Sequence, residues 1–266
     1  MKIISQYPDA LFNLDELKKK YSLSTEQFSE CLAKAKKAMQ PYSKIVNINI
    51  SDCALAYNVT RHGFGTLITD FGVFFMYVFK INDMWNTYNV LIKAPSIDEQ
   101  FIPQFKNPSC ITVRLDSECL TGQLLGDKTC DCKEQLFFAM KIISQIGEGI
   151  IISIPEQDGR GMGIAFKLAT LMLQKELDVN TVEAANILAD SSLIDTRTYD
   201  GAVCILKFLG IDQKSKINLA TNNSAKKKAL LDNGYTVEST VPIVIEPNEY
   251  TSRHLQAKKK YLGHTI

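Results

Sequence analysis

Nowhere does this sequence string together the roughly 20 apolar residues that a membrane-spanning helix requires. Its opening stretch, MKIISQYPDALFNLDELKKKYS, contains no apolar run of signal-peptide length. A cytoplasmic protein is expected. An excess of charge of either sign is also missing, since 30 basic residues face 29 acidic ones. No overall field therefore favours nucleic acid or an acidic membrane surface, and a small or locally bound partner is favoured over both. Seven cysteines, an odd number in 266 residues, do not suggest a secreted disulfide framework. Internal repeats and low-complexity linkers are absent as well. What is present is 45% apolar content, enough to bury one large core, or one core with a small appended domain.

Residues 24–40, STEQFSECLAKAKKAMQ, carry a possible capping box from Ser24 to Gln27. Phe28, Cys31 or Leu32, Ala35 and Met39 then fall on one stripe, which predicts an amphipathic helix. With the preceding LDELKKKY it could form a helix-turn-helix, but any two short basic helices would look alike. A docking or dimer-contact role is the simpler reading. From Thr66, TLITDFGVFFMYVFKIND and NTYNVLIKA have the β-branched and aromatic richness of two strands joined by a polar turn. ITVRLDS predicts a further strand, GIIISIP a strand buried on both faces, and IAFKLATLMLQKEL a helix. Later come a helix ending at Gly210, a strand in KINLATNN and a helix stopped by Gly234. This order predicts a helical N-terminal extension over 1–60 and one α/β domain over 61–266.

Within SECLTGQLLGDKTCDC, Cys119, Cys130 and Cys132 fall close enough for a loop to fold three sulfurs onto one ion, with zinc the natural choice. A structural zinc normally takes four protein ligands, and no second close cysteine pair exists in the chain. Three ligands leave a position for water, which suggests hydrolysis; alternatively Cys110 or a histidine closes the shell. Unligated thiols are a further alternative. Cys31, Cys53, Cys110 and Cys204 read as small buried hydrophobes, and His62, His254 and His264 show no metal spacing.

RLDSECLTGQLLGDKTCDCKEQL closely resembles the zinc motif of the GTP cyclohydrolase II family, the first enzyme of riboflavin synthesis. TDFGVFFMYVF, EQDGRGMGIAFKLATLMLQ, NTVEAANILADSSLIDTRTY, ATNNSAKKKAL and KKKYLGH match further family segments in order, so the resemblance covers most of residues 66–264. It implies a mixed sheet with flanking helices and a homodimer binding one zinc per subunit, with magnesium carried by the triphosphate. The implied reaction opens the imidazole ring of GTP and releases pyrophosphate and formate.

Gly159, Gly161 and Gly163 lie between a strand and a helix, where the backbone can approach an anion closely, although glycine loops also occur as plain tight turns. The resemblance assigns Asp158, Gly159 and Arg160 to the nucleotide, with Arg114, Leu115, Asp116, Ser117, Glu118, Gln135, Thr181, Thr221 and Lys226. An alternating strand with one charged edge would otherwise account for 114–118, and a solvated helix face for Lys226–Lys228. Asp195 and Arg197 stand two apart, on one face if the segment is extended. They resemble the family's proton acceptor and its nucleophile towards the α-phosphorus. Electrostatic stabilisation of the phosphoryl group suits a guanidinium equally well, and a surface ion pair is the plain alternative.

The chain departs from the family at three positions, and its segment before Asp195 is about two residues longer than usual. Leu171 stands where a tyrosine is usual, Asp116 where a histidine is, and Asp158 where a glutamate is. The first concerns formate release, for which Tyr199 could supply a substitute hydroxyl. The other two concern the base. Alternatives are therefore arrest at a formyl-retaining product, ring opening of another nucleotide such as UTP, or a nucleotide-binding regulator without turnover.

Overall fold

The computed structural model describes residues 18–50, 53–82, 84–189 and 195–262. The chain forms two compact units, Met1–Gln40 and Pro41–Ile266. In the first, helix α1 (Thr25–Met39) starts where the sequence signals it. The Ser24 hydroxyl accepts from the Gln27 N–H at 3.1 Å while the Ser24 N–H donates to Gln27 Oε1 at 3.0 Å. Two of the helix's orphan donors are thereby satisfied. No helix among the described residues is long and apolar enough to cross a membrane.

The second unit is built on an eight-stranded mixed sheet in the order β1-β2-β3-β4-β8-β7-β9-β10. Strands β1 (Tyr42–Ile50), β2 (Cys53–Thr69), β3 (Gly72–Ile81) and β4 (Tyr88–Lys93) form an antiparallel meander. Two short strands, β5 (Ser96–Ile97) and β6 (Pro103–Gln104), pair beside it. The sheet thus begins at residue 42, inside the stretch expected to be a helical extension. The alternation of Val46, Ile48 and Ile50 with polar residues in SKIVNINI is a strand pattern. Likewise TLITDFGVFFMYVF holds two strands, because Asp70–Phe71 turns the chain and Gly72 supplies a φ of +102°. Cys204 is buried as expected and Cys110 partly so, but Cys31 and Cys53 are exposed.

Strands β7 (Cys110–Ser117), β8 (Gly149–Ile154), β9 (Lys216–Ala220) and β10 (Thr236–Val241) are joined by helices. These are α2 (Cys132–Ile146), α3 (Ile164–Leu177), α4 (Thr181–Leu188), α5 (Asp200–Phe208) and α6 (Ser224–Asp232), with α7 (Ser252–Leu262) last. Parallel pairing joins β8 to β7, β7 to β9, and β9 to β10. Both β7 and β8 are buried along almost their whole length, as strands covered on two faces must be. Phe74 and Phe79, five apart on β3, project to opposite faces. Phe74 joins Ala139, Met140 and Ile143 of α2 in one core, and Phe79 meets Phe208 of α5 edge-on at 5.0 Å between ring centres. Burying each such side chain stabilises the fold by about 1.5–3 kcal/mol.

Gly201 on α5 lies against the meander so closely that a Cβ there would collide with the Tyr88 hydroxyl and come within 2.9 Å of Ile81 Cδ1. Gly201→Ala is therefore expected to lower stability by about 1–3 kcal/mol through overpacking. A denaturant midpoint equal to the parent's would contradict that packing.

This topology places a site. The parallel β7, β8 and β9 deliver their carboxyl ends to one edge of the sheet, and β7 has β8 on one side and β9 on the other. The crevice at such a point is where open α/β sheets bind ligands.

Candidate active site

Cys119 follows β7 directly and precedes a single π-helical turn, Leu120–Leu124. Cys130 and Cys132 sit at the entry to α2. The three sulfurs lie within 4.8 Å of one another, and Cys119 Sγ is 3.8 Å from Cys130 Sγ. Tetrahedral sites with zinc–sulfur bonds of about 2.3 Å separate their sulfurs by about 3.8 Å, so the cluster fits zinc. Asp127 braces the intervening loop, accepting from the Thr121 hydroxyl at 3.1 Å and from Thr129 N–H at 2.9 Å. No fourth histidine, cysteine or carboxylate joins the cluster among the described residues. Cys110 is elsewhere, at the start of β7, accepting from Asn218 at 3.3 Å.

The end of β7 supplies a buried polar network. Arg114 donates to Asp116 Oδ1 at 3.1 Å, to the Ala220 carbonyl at 3.2 Å and to Gln135 Oε1 at 3.0 Å. Asp116 Oδ2 accepts from Gln123 Nε2 at 2.7 Å, and Gln123 Oε1 accepts from the Cys119 N–H at 3.1 Å. Asp116 thus spends its carboxylate on holding Arg114 and the metal loop. The Leu115 side chain is fully buried, and only its carbonyl is in use, accepting from Lys226 Nζ at 2.7 Å. Ser117 Oγ and Gln157 Oε1 are buried on the cleft wall without a hydrogen-bond partner among the described residues. Such groups are costly unless a ligand or water satisfies them.

After β8 the chain makes a tight turn, Asp158–Gly161, in which Gly159 and Arg160 take left-handed conformations at φ 59° and 60°. Gly161 is pinned by sterics as well, since a Cβ would stand 2.7 Å from Thr196 Oγ1. The glycine loop and the 195–197 segment are therefore in contact, and the Thr196 N–H donates to the Arg160 carbonyl at 3.0 Å. Arg160 Nη2 donates to Thr181 Oγ1 at 3.4 Å. Arg197 grips Asp195 side-on, through Nε at 2.8 Å and Nη2 at 2.5 Å.

One cleft is lined by all three cysteines and by Arg114, Asp116, Ser117, Glu118 and Gln135. Its wall continues through Asp158, Gly159, Arg160, Thr181, Arg197, Thr221 and Lys226. Asp195 stands behind Arg197 rather than on that wall. Thr170, not Leu171, faces the cleft, and its hydroxyl is committed to the Lys167 carbonyl at 2.7 Å. Tyr199 is buried off the wall, its hydroxyl accepting from Asn223 at 3.3 Å. The sequence reading missed Gln123, Gln157, Lys167 and Asn223. Lys167 reaches Cys119, 48 residues away along the chain, whereas Gln123 bonds Cys119 and Asp116 within seven residues through a π-helical turn that spacing alone does not announce, and only Asn223, in the helix-capping ATNNS, carried a local signal.

Like charges crowd one another in the cleft. Burial, then Arg114 and Arg197, hold the Lys226 ammonium well below the ordinary lysine pKa. Burial and then Arg197 depress Arg160. Burial would raise the Asp195 pKa, but hydrogen bonds from Arg197 outweigh it and leave the carboxyl below its usual range. Arg197 shifts the opposite way: burial opposes its charge, Asp195 overcomes that, and the guanidinium is held above its ordinary value.

A family model described as GTP cyclohydrolase II matches residues 63–242. A GTP cyclohydrolase-2 from Picrophilus torridus is 35% identical over 194 residues, covering 73% of this chain and 92% of its own. A GTP cyclohydrolase-2 from Campylobacter hominis is 34% identical over 209 residues, 79% of this chain and 96% of its own. The riboflavin biosynthesis protein RibBA of Aquifex aeolicus is 41% identical over 161 residues, 60% of this chain but 38% of its own.

Proposed function

Because the chain belongs to the GTP cyclohydrolase II family and is an enzyme of that type, a cyclic amidine hydrolase, we propose that it opens the imidazole ring of GTP in riboflavin synthesis, as a homodimer with one zinc per subunit. The reaction releases pyrophosphate and formate, and magnesium enters with the triphosphate. Cys119, Cys130 and Cys132 would hold the zinc, which would supply Lewis-acid activation of water for hydrolysis of the imidazole ring.

The rest of the chemistry belongs to the chain's own side chains. Arg114, Arg160, Arg197 and Lys226 converge on the cleft and oppose one another there, a strain that a polyanion relieves. The glycine loop places Gly159 and Arg160 on the same wall, just ahead of α3. Asp195, ionised and paired, orients Arg197 so that its remaining N–H donors face the transferring phosphoryl group. The raised pKa of Arg197 disfavours the neutral guanidine that a nucleophile would need, so it acts by stabilising charge. Ser117 and Gln157 offer their unpartnered oxygens to the nucleotide.

The strongest support is that one cleft is lined by both the three thiols and five basic side chains, Arg114, Arg160, Lys167, Arg197 and Lys226. The test is a panel of nucleotides, GTP and UTP included, incubated with zinc and magnesium while pyrophosphate, formate and product mass are followed. Equimolar pyrophosphate and formate from GTP are expected. Pyrophosphate without formate would mean arrest at the formyl product, which Leu171 and the committed Thr170 hydroxyl favour as the second reading. Binding without pyrophosphate release would mean a regulator.

Lys226 adds a signed prediction. A bound triphosphate raises its depressed pKa, so nucleotide binding is expected to take up a proton at alkaline pH, below the usual lysine value of about 10.4. Calorimetry in two buffers of different ionisation enthalpy measures this, and a binding heat independent of buffer would rule it out.

A further inference from the structure

Lys167 lies in the first turn of α3 and belongs to neither the metal ligands nor the nucleotide contacts named above. Its ammonium nevertheless touches both. Lys167 Nζ donates to Cys119 Sγ at 2.8 Å and to Asp158 Oδ1 at 3.1 Å. The other oxygen of Asp158 accepts from the N–H of Leu120, next to Cys119, at 3.2 Å. Lysine, aspartate and metal loop thus close a ring of three contacts between segments some 40 residues apart in sequence. The ring is largely shielded from water, with the Lys167 and Asp158 side chains 15% and 12% exposed. Gly159 fixes its geometry, because a Cβ there would press to 3.3 Å on the Lys167 N–H nitrogen.

Three thiolates around a divalent zinc carry one net negative charge. Buried without compensation, that charge is costly. An ammonium on one sulfur offsets it and fixes the sulfur's position, as outer partners of metal ligands do. We propose that Lys167 is a positioning residue for the zinc centre, balancing the Cys119 thiolate and, through Asp158, fastening the metal loop to the glycine loop. The proposal rests on the zinc reading above and adds a residue to it.

The test compares purified parent, Lys167→Met and Lys167→Arg. Zinc affinity is measured by competition with a chromogenic chelator, and the thiolate-to-metal absorption of the cobalt(II)-substituted protein is recorded. Lys167→Met keeps the aliphatic stem and loses the charge, so its zinc affinity is expected to fall by about 10-fold or more and its cobalt band to shift. Lys167→Arg is expected to recover most of both. Asp158→Asn weakens the clasp while leaving the lysine, and is expected to show a smaller loss in the same direction, which keeps the test open if Lys167→Met does not fold. A parent protein that binds no zinc would sink the zinc reading itself. A folded Lys167→Met with parental zinc affinity and an unshifted cobalt spectrum would overturn this inference alone.

Discussion

Arg197→Ala is expected to cut pyrophosphate release from GTP by at least about 100-fold while leaving zinc content unchanged, the loss typical when one preorganised donor to a transition-state charge is removed. Arg197 is held on two sides: its side chain is 12% exposed, and it spends Nε and Nη2 on Asp195. It therefore faces the cleft with little entropy left to lose, and a substitution removes a donor already aimed. Arg197→Lys separates the two roles open to this residue. A charge-stabilising group keeps part of its effect as a lysine, which still delivers a cation but not the fork. Complete loss in the lysine variant, with a covalent nucleotide adduct trapped on the parent enzyme, would instead establish the arginine as nucleophile.

The same substitution has a pH signature. The Asp195 carboxyl is depressed in the folded protein, so its ion pair stabilises the fold above the unfolded carboxylate pKa of about 3.9 and that contribution disappears as pH falls through the lower folded value. Arg197→Ala removes the contribution at neutral pH, and its stability should fall less steeply than the parent's on acidification. Denaturation midpoints at neutral and acid pH check the sign.

What could be seen beforehand follows from how local each cause is. The capping box of α1 is settled by two residues three apart, so Ser24 and Gln27 announced it correctly. The thiol cluster was legible for a similar reason, since one loop carries all three sulfurs. The start of the sheet was passed over although β1 carries a legible alternation in SKIVNINI. The long β2 was harder to see, because most of its residues are exposed or only partly buried and its sequence lacks the apolar run that betrays β8. Cys53, exposed at the start of β2, could not be told from a buried cysteine by residue type. Asp116 was assigned to the nucleotide by resemblance; it lines the cleft, and its carboxylate also holds Arg114 and Gln123. Residue type and spacing gave no sign of that second task, because it depends on the π-helical turn that swings Gln123 back onto the strand end.

Gly122→Ala is expected to abolish zinc binding and with it turnover. Gly122 lies inside the turn that Cys119 caps, and a Cβ there would stand 2.5 Å from Cys130 Sγ and 3.1 Å from Cys119 Sγ. Real Cβ atoms do not tolerate the first distance. Ordinarily a sulfur could swing aside, but these two must keep a spacing of about 3.8 Å to share one tetrahedral ion, so relief of the clash and retention of the metal exclude each other. The glycine N–H also donates to Cys119 Sγ at 3.4 Å, and the loop shift that relieves the clash breaks that bond too. Because a metal stabilises the fold only where the folded chain binds it, the variant's melting temperature should no longer respond to added zinc, whereas the parent's should rise. Gly65→Ala is the matched control, since a Cβ there meets nothing within 4 Å. A Gly122→Ala protein that carries one zinc per chain and turns over GTP would show that the thiols do not share the ion in the way their spacing requires.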